Sequence, residues 1–144
     1  MRFSEAKGHR VMSTSEAVTV GRVKSLVVDV PAARVVALQL RKTPGEGNLL
    51  TWEDMSAFGR DAITVEAGSV ITVATGDLVR LSDKQHDAIG KRVLTTEGVE
   101  LGSVQDIDFD LADGSIVSVL TETDEVAGSR LLDLGSYAIV VHPT

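Results

Sequence analysis

Two stretches of this chain run in step, and that repetition constrains its fold more than any single motif. Gly8-His9-Arg10-Val11-Met12-Ser13-Thr14 is matched by Gly90-Lys91-Arg92-Val93-Leu94-Thr95-Thr96. Further on, Val20-Gly21-Arg22-Val23 is matched by Leu101-Gly102-Ser103-Val104, and Asp29 by Asp110. Val35-Val36-Ala37-Leu38 then corresponds to Ile116-Val117-Ser118-Val119, and Gly59 to Val65 corresponds to Gly135 to Val141. Even the openings agree, Met1 to Glu5 against Val79 to Asp83. The order is the same in both halves. The chain therefore divides into repeat one over residues 1–68 and repeat two over 77–144. The join, 69–76, is a linker or a strand shared through Val70-Ile71-Thr72-Val73.

The local patterns are those of strands. Gly21 to Val30 alternates and then becomes continuously apolar, and Val99 to Asp110 alternates between apolar residues and aspartates. Ala112-Asp113-Gly114 reads as a hairpin turn, with Pro31-Ala32-Ala33 at the matching place in repeat one. Arg34 to Arg41 and Ser115 to Thr121 are the return strands. Thr43 to Asn48 is a polar loop with Glu122 to Gly128 as its counterpart. Helical turns are expected only at Trp52 to Phe58 and Asp83 to Ile89. With 3% aromatics the core must be aliphatic, and Val and Ile suit a pleated surface. Many short strands between glycine-marked turns predict an all-β fold of two small tandem barrels, since closure removes exposed strand edges. A unit of this size buries only about 60% of its unfolded surface, so the two are expected to pack together or exchange a strand.

In this order and repetition the motifs resemble the PRC-barrel domain: Gly-x-x-Val, then Gly-x-Val, then an alternating strand ending in Asp, a turn, an apolar Val/Ile strand, and a closing run such as Asp61-Ala62-Ile63-Thr64-Val65. That family includes the cytoplasmic domain of the photosynthetic reaction-centre H subunit and the C-terminal domain of a ribosome-maturation factor. The resemblance implies a small six-stranded barrel used as a docking module, with no shared catalytic motif to carry over. The chain shows neither the membrane helix of the first relative nor the extra N-terminal domain of the second, so neither role transfers whole.

Several chemistries fall away on composition. There is no cysteine, which excludes thiolate catalysis, disulfides and cysteine-based metal sites. No Gly-x-Ser-x-Gly elbow, Gly-x-Gly-x-x-Gly fingerprint or P-loop occurs. No secretory signal and no apolar run of spanning length is visible, so a bacterial-type cytoplasmic protein without membrane insertion is expected. The net charge of −7 is uneven: residues 1–66 sum to +1 and residues 67–144 to −8. Such a chain repels phosphate backbones, so direct nucleic-acid binding is not expected, although Arg10, Arg22, Lys24, Arg41 and Lys42 could gather as a basic patch.

Among single residues, Asp106, Asp108, Asp110 and Asp113 are the densest acidic set. Alternate carboxylates on a strand share a face and could meet a hard cation, but Leu111 stands where a calcium loop needs glycine, so a solvated outer face is the plainer reading. His9, His86 and His142 are scattered, with His142 exposed and His9 matched by Lys91. Trp52 is either an interface anchor or, as favoured here, a plug for barrel one with its N–H on a backbone carbonyl. Gly8, Gly21, Gly59, Gly90, Gly102, Gly114 and Gly135 are read as structural turn or close-approach positions. The expected function is a non-catalytic interaction module, docking a protein partner or self-associating, with no cofactor. The alternatives are a ribosome-assembly or RNA-processing factor, a small-ligand or divalent-metal binding protein, and an accessory of a membrane complex.

Overall fold

The alternation of aliphatic and polar residues is realised as short strands throughout the computed structural model, which describes residues 1–144. In the first half, β1 (Arg10–Ser13), β2 (Val18–Asp29), β3 (Arg34–Arg41), β4 (Leu49–Thr51), β5 (Ala57–Phe58) and β6 (Ala62–Val65) form one sheet in the order β4-β3-β2-β1-β6-β5. The second half has β7 (Arg92–Thr95), β8 (Glu100–Ser103), β9 (Asp106–Phe109), β10 (Ile116–Leu120), β11 (Glu125–Ala127), β12 (Leu131–Leu134) and β13 (Ala138–Val141). These make two sheets, β12-β13-β7-β8 and β11-β10-β9. The result is an all-β, barrel-like architecture with short helical turns.

The halves share their hydrogen-bond scheme. β1 runs parallel to β6 with Val11 opposite Ile63, and β7 runs parallel to β13 with Val93 opposite Ile139. Gly8 donates to the Val23 carbonyl at 2.9 Å, and Gly90 donates to the Val104 carbonyl at 2.9 Å. These two glycines have φ +88 and +87 with open space around them, so it is the left-handed backbone, not crowding, that selects glycine.

One main hydrophobic core of 26 buried residues, aliphatic but for Phe3 and Phe109, runs through both halves, from Val11, Val23 and Leu38 to Val93 and Ile139. The halves meet where their hairpins begin. Val35 N–H donates to the Gly114 carbonyl and Ile116 N–H donates to the Ala33 carbonyl, both at 2.8 Å. Ala33 and Gly114 are equivalent residues, as are Val35 and Ile116. The contact is therefore reciprocal, like the self-complementary face of a two-fold dimer joined into one chain.

Five expectations need correction. Val99 to Asp110 is not one strand but β8 and β9, interrupted at Val104-Gln105; Gly102, at φ +103, turns the pleat just before the break. The matching stretch of β2 instead continues through a bulge between Val23 and Ser25. Residues Val70 to Val73 form no shared strand: a 3-10 turn covers Gly68–Val70, and Thr72 alone bridges to Leu49, within the first half. The expected loop Glu122 to Gly128 contains β11, because Val126 is buried opposite Val119. The chain opens with a helix, α1 (Phe3–Ala6), and a second, α2 (Asp77–Leu81), opens the 77–144 segment. Gly21 and Gly102 lie inside strands rather than in turns. At Gly21 an added Cβ would stand 3.2 Å from Leu40 Cδ1, so there close packing is the reason for glycine.

Candidate functional site

The aromatic residues collect at the junction. Trp52 stacks on Phe58 with ring centroids 5.8 Å apart, and both meet Phe109 of the second half edge-on, at 6.3 and 5.6 Å. Gly114 makes room for the indole: a Cβ there would sit 3.1 Å from Trp52 Cδ2. Trp52 is thus half-buried between the halves and anchors an interface inside the chain. The ring is held by other rings, and the expected plug of barrel one with its N–H on a carbonyl is not what forms. His9 joins this group, its Nε2 2.7 Å from the Arg60 carbonyl and its ring 6.2 Å from Phe58. That contact makes it half-buried, not a free polar residue.

The aspartates work separately. Asp106 accepts from the N–H of Ser4 at 3.0 Å and from its hydroxyl, and Asp108 accepts from the Met1 ammonium at 3.2 Å. The outer face of β9 is therefore covered by the opening segment, which pairs Arg2 with Asp108, and is not the solvated face expected. Asp110 caps the N–H of Ala112 and Asp113 that of Ser115, each fixing the β9–β10 turn. The Ser115 N–H and hydroxyl, aided by the Arg34 guanidinium across the junction, hold the Asp113 carboxyl below its ordinary range. No three carboxylate or imidazole groups converge on one point.

Sequence reasoning did not anticipate a cavity of about 460 Å³ between β2 and the segment following α2, lined by Lys7, Lys24, Leu81, Asp83, His86 and Asp87. Within the side chain of His86, Nδ1 is buried without a partner. His142 is exposed.

Two surface features are organised by strand register. On the second half, Arg92 and Leu94 point outward from β7, beside Val140 of β13 and Glu100 of β8. The Arg92 guanidinium lies 5.6 Å from the Tyr137 ring centroid and 3.5 Å from Glu100. Tyr137 is 67% exposed and Val99, next to Glu100, is 53% exposed. On the first half, Arg10 stands opposite Arg22 and Arg22 opposite Arg41. Lys24 is not in that row: it lines the cavity instead. Lys42 follows Arg41 with φ +57.

A small all-β protein with barrel-like curled sheets and no helix long and apolar enough to cross a membrane is the class these observations define. Residues 82–141 match the family model of the PRC-barrel domain. A search of curated proteins returns no match to the chain.

Proposed function

We propose that the chain is a non-catalytic docking module made of two PRC-type barrels, residues 1–68 and 77–144, the first being a diverged copy of the second. The recurrence of the β1–β6 and β7–β13 parallel pairings, with the same Gly8 and Gly90 bonds, supports the tandem reading. The observation that carries the docking reading is the Tyr137–Arg92 pair. Tyrosine and arginine are the side chains from which binding hot spots are most often made, and here they are stacked in advance beside exposed Val99 and half-exposed Leu94. Pre-ordering them lowers the entropy cost of binding. A protein partner docked on this sheet face would bury an apolar centre rimmed by Glu100 and Arg92.

The test is gentle affinity purification from the native cell, comparing the unaltered chain with Tyr137→Ala and Arg92→Ala. A partner retained by the first and lost by both variants is expected. A partner that survives both substitutions moves the docking face elsewhere. If no partner is recovered and the mass is strictly monomeric, the docking reading fails.

A further inference from the structure

We infer that Arg10, Arg22 and Arg41 form a recognition row for an extended acidic peptide segment of a partner protein. The row lies on the first half, away from Tyr137, so it goes beyond the docking face above.

The register puts the three residues directly opposite one another across β1, β2 and β3. Their neighbours Val11, Val23 and Leu40 are buried, which turns all three arginines to the outer face of the sheet. Neighbouring strands are about 4.8 Å apart, so the three arginine side chains leave the sheet close together. Like charges directly opposite on a sheet destabilise it. No ion pair in the chain neutralises them: the ion pairs are Met1–Asp108, Arg60–Asp61 and Arg92–Glu100, none involving the row. Among the three, only Arg22 has an internal acceptor, the Gly8 carbonyl at 3.2 Å.

The second half is an internal control. There Arg92 lies opposite Ser103, and the residue matching Arg41 in sequence order is Glu122. Glu122 accepts from the Ser103 N–H at 3.0 Å, and Arg92 pairs with Glu100 at 3.5 Å. The same place in the fold is neutralised in one half and left with three positive charges in the other, in a chain whose net charge is −7. The fold therefore does not need the charges, and their cost is balanced by an anionic partner.

Guanidinium forks match carboxylates in bidentate geometry, and long arginine stems can follow carboxylates spaced along an extended chain. Nucleic acid fits less well. No tryptophan, tyrosine or phenylalanine belongs to the row for bases to stack on, and the protein's overall charge repels a phosphate backbone.

The experiment is a calorimetric titration of the full chain with poly-L-glutamate at ~50 mM and ~200 mM salt, because exposed ionic contacts are screened over that range. Saturable binding that weakens with salt is expected. Arg41→Thr and Arg22→Thr should each weaken it about tenfold, the usual loss for one charge-assisted contact. Arg41→Thr should also raise Tm by about 1–3 °C, because the row is strained when empty, whereas Arg22→Thr also loses its bond to the Gly8 carbonyl. A gain in stability with a loss of binding is a pairing that a merely structural row cannot give. Absence of saturable binding, or unchanged affinity with lowered Tm in both variants, overturns the proposal. Tighter binding of single-stranded RNA than of polyglutamate overturns the choice of partner, as does a concentration-dependent doubling of mass abolished by Arg41→Thr, which would make the occupant a second copy.

Discussion

Gly114 holds the junction between the halves, and replacing it with alanine should be costly for reasons that can be apportioned. Its φ is +79, and a Cβ there would lie 2.8 Å from the Val35 carbonyl oxygen. Forcing an alanine into the left-handed region costs about 1–2 kcal/mol. Displacing the Val35 backbone would weaken the Val35 N–H bond to the Gly114 carbonyl, worth about 0.5–1.5 kcal/mol. The stiffer unfolded chain returns about 0.4–1 kcal/mol. The net expectation for Gly114→Ala is a destabilisation of about 1–3 kcal/mol. Ala33 is a natural control, since it occupies the equivalent position at φ +52. Ala33→Gly should relieve the same strain and lose only unfolded-chain entropy, leaving stability unchanged or raised by up to about 1 kcal/mol. Urea unfolding can be followed by the fluorescence of Trp52, which lies on Gly114, and in parallel by far-ultraviolet circular dichroism. Because one core joins the halves, both probes should report one transition. The reasoning is refuted if Gly114→Ala shifts stability by less than about 0.5 kcal/mol, a change ordinary for an uninvolved surface site. Separate transitions for the two probes would refute the single core.

Trp52→Ala should cost about 2 kcal/mol, less than the 3–5 of a fully buried aromatic because the ring is only half-buried; equilibrium urea unfolding followed by circular dichroism measures it. Asp113 has a lowered folded-state pKa, so its contribution is present above the unfolded value of about 3.9 and is lost as pH falls through the lower folded value. Asp113→Asn should therefore flatten the acid limb of the stability curve below about pH 4, and an NMR titration placing the Asp113 carboxyl at or above the ordinary value would contradict this.

How much of this could be read in advance depended on whether the determining contact was local. Strand β3 could be read because Val35, Ala37, Leu38 and Leu40 have no alternative but to be buried, and both hairpin turns were announced by Pro31 and by Asp113-Gly114. Gly8 and Gly90, matched in the sequence, have the same left-handed backbone and the same bond to a strand carbonyl. Asp106 and Asp108 looked like part of a solvent face because their cover comes from Met1 and Ser4, about a hundred residues away. Trp52 misled for the same reason: one of its ring partners, Phe109, belongs to the other half of the chain. The arginine row was visible only as scattered basic residues, because the register that aligns them depends on bulges no local pattern encodes. Tyr137 carried no signal beyond being the only tyrosine.

The two halves share a backbone plan and differ on their outer faces, which suggests that function resides in the differences. Val27, Ala37 and Leu49 form a small apolar cluster packed against Ala74, Leu78 and Leu81. Their counterparts Asp108, Ser118 and Glu125 are polar, with the Ser118 hydroxyl donating to Glu125 at 3.1 Å. Building the arginine row onto the second half would separate plan from surface. Ser103→Arg with Glu122→Arg would place two more guanidinium groups beside Arg92 and remove the acceptor that serves the Ser103 N–H and, at 2.9 Å, Gln105 Nε2. The lost contacts are exposed, at about 0.5 kcal/mol each, and the opposed charges add up to about 1 kcal/mol, so a destabilisation of about 1–2 kcal/mol is expected by urea unfolding. Raising the salt concentration should recover part of it, because exposed repulsion is screened and lost hydrogen bonds are not. If the double variant matches the unaltered chain in stability at low salt, opposed arginines carry no cost on this sheet. The row on the first half would then need no partner to explain it.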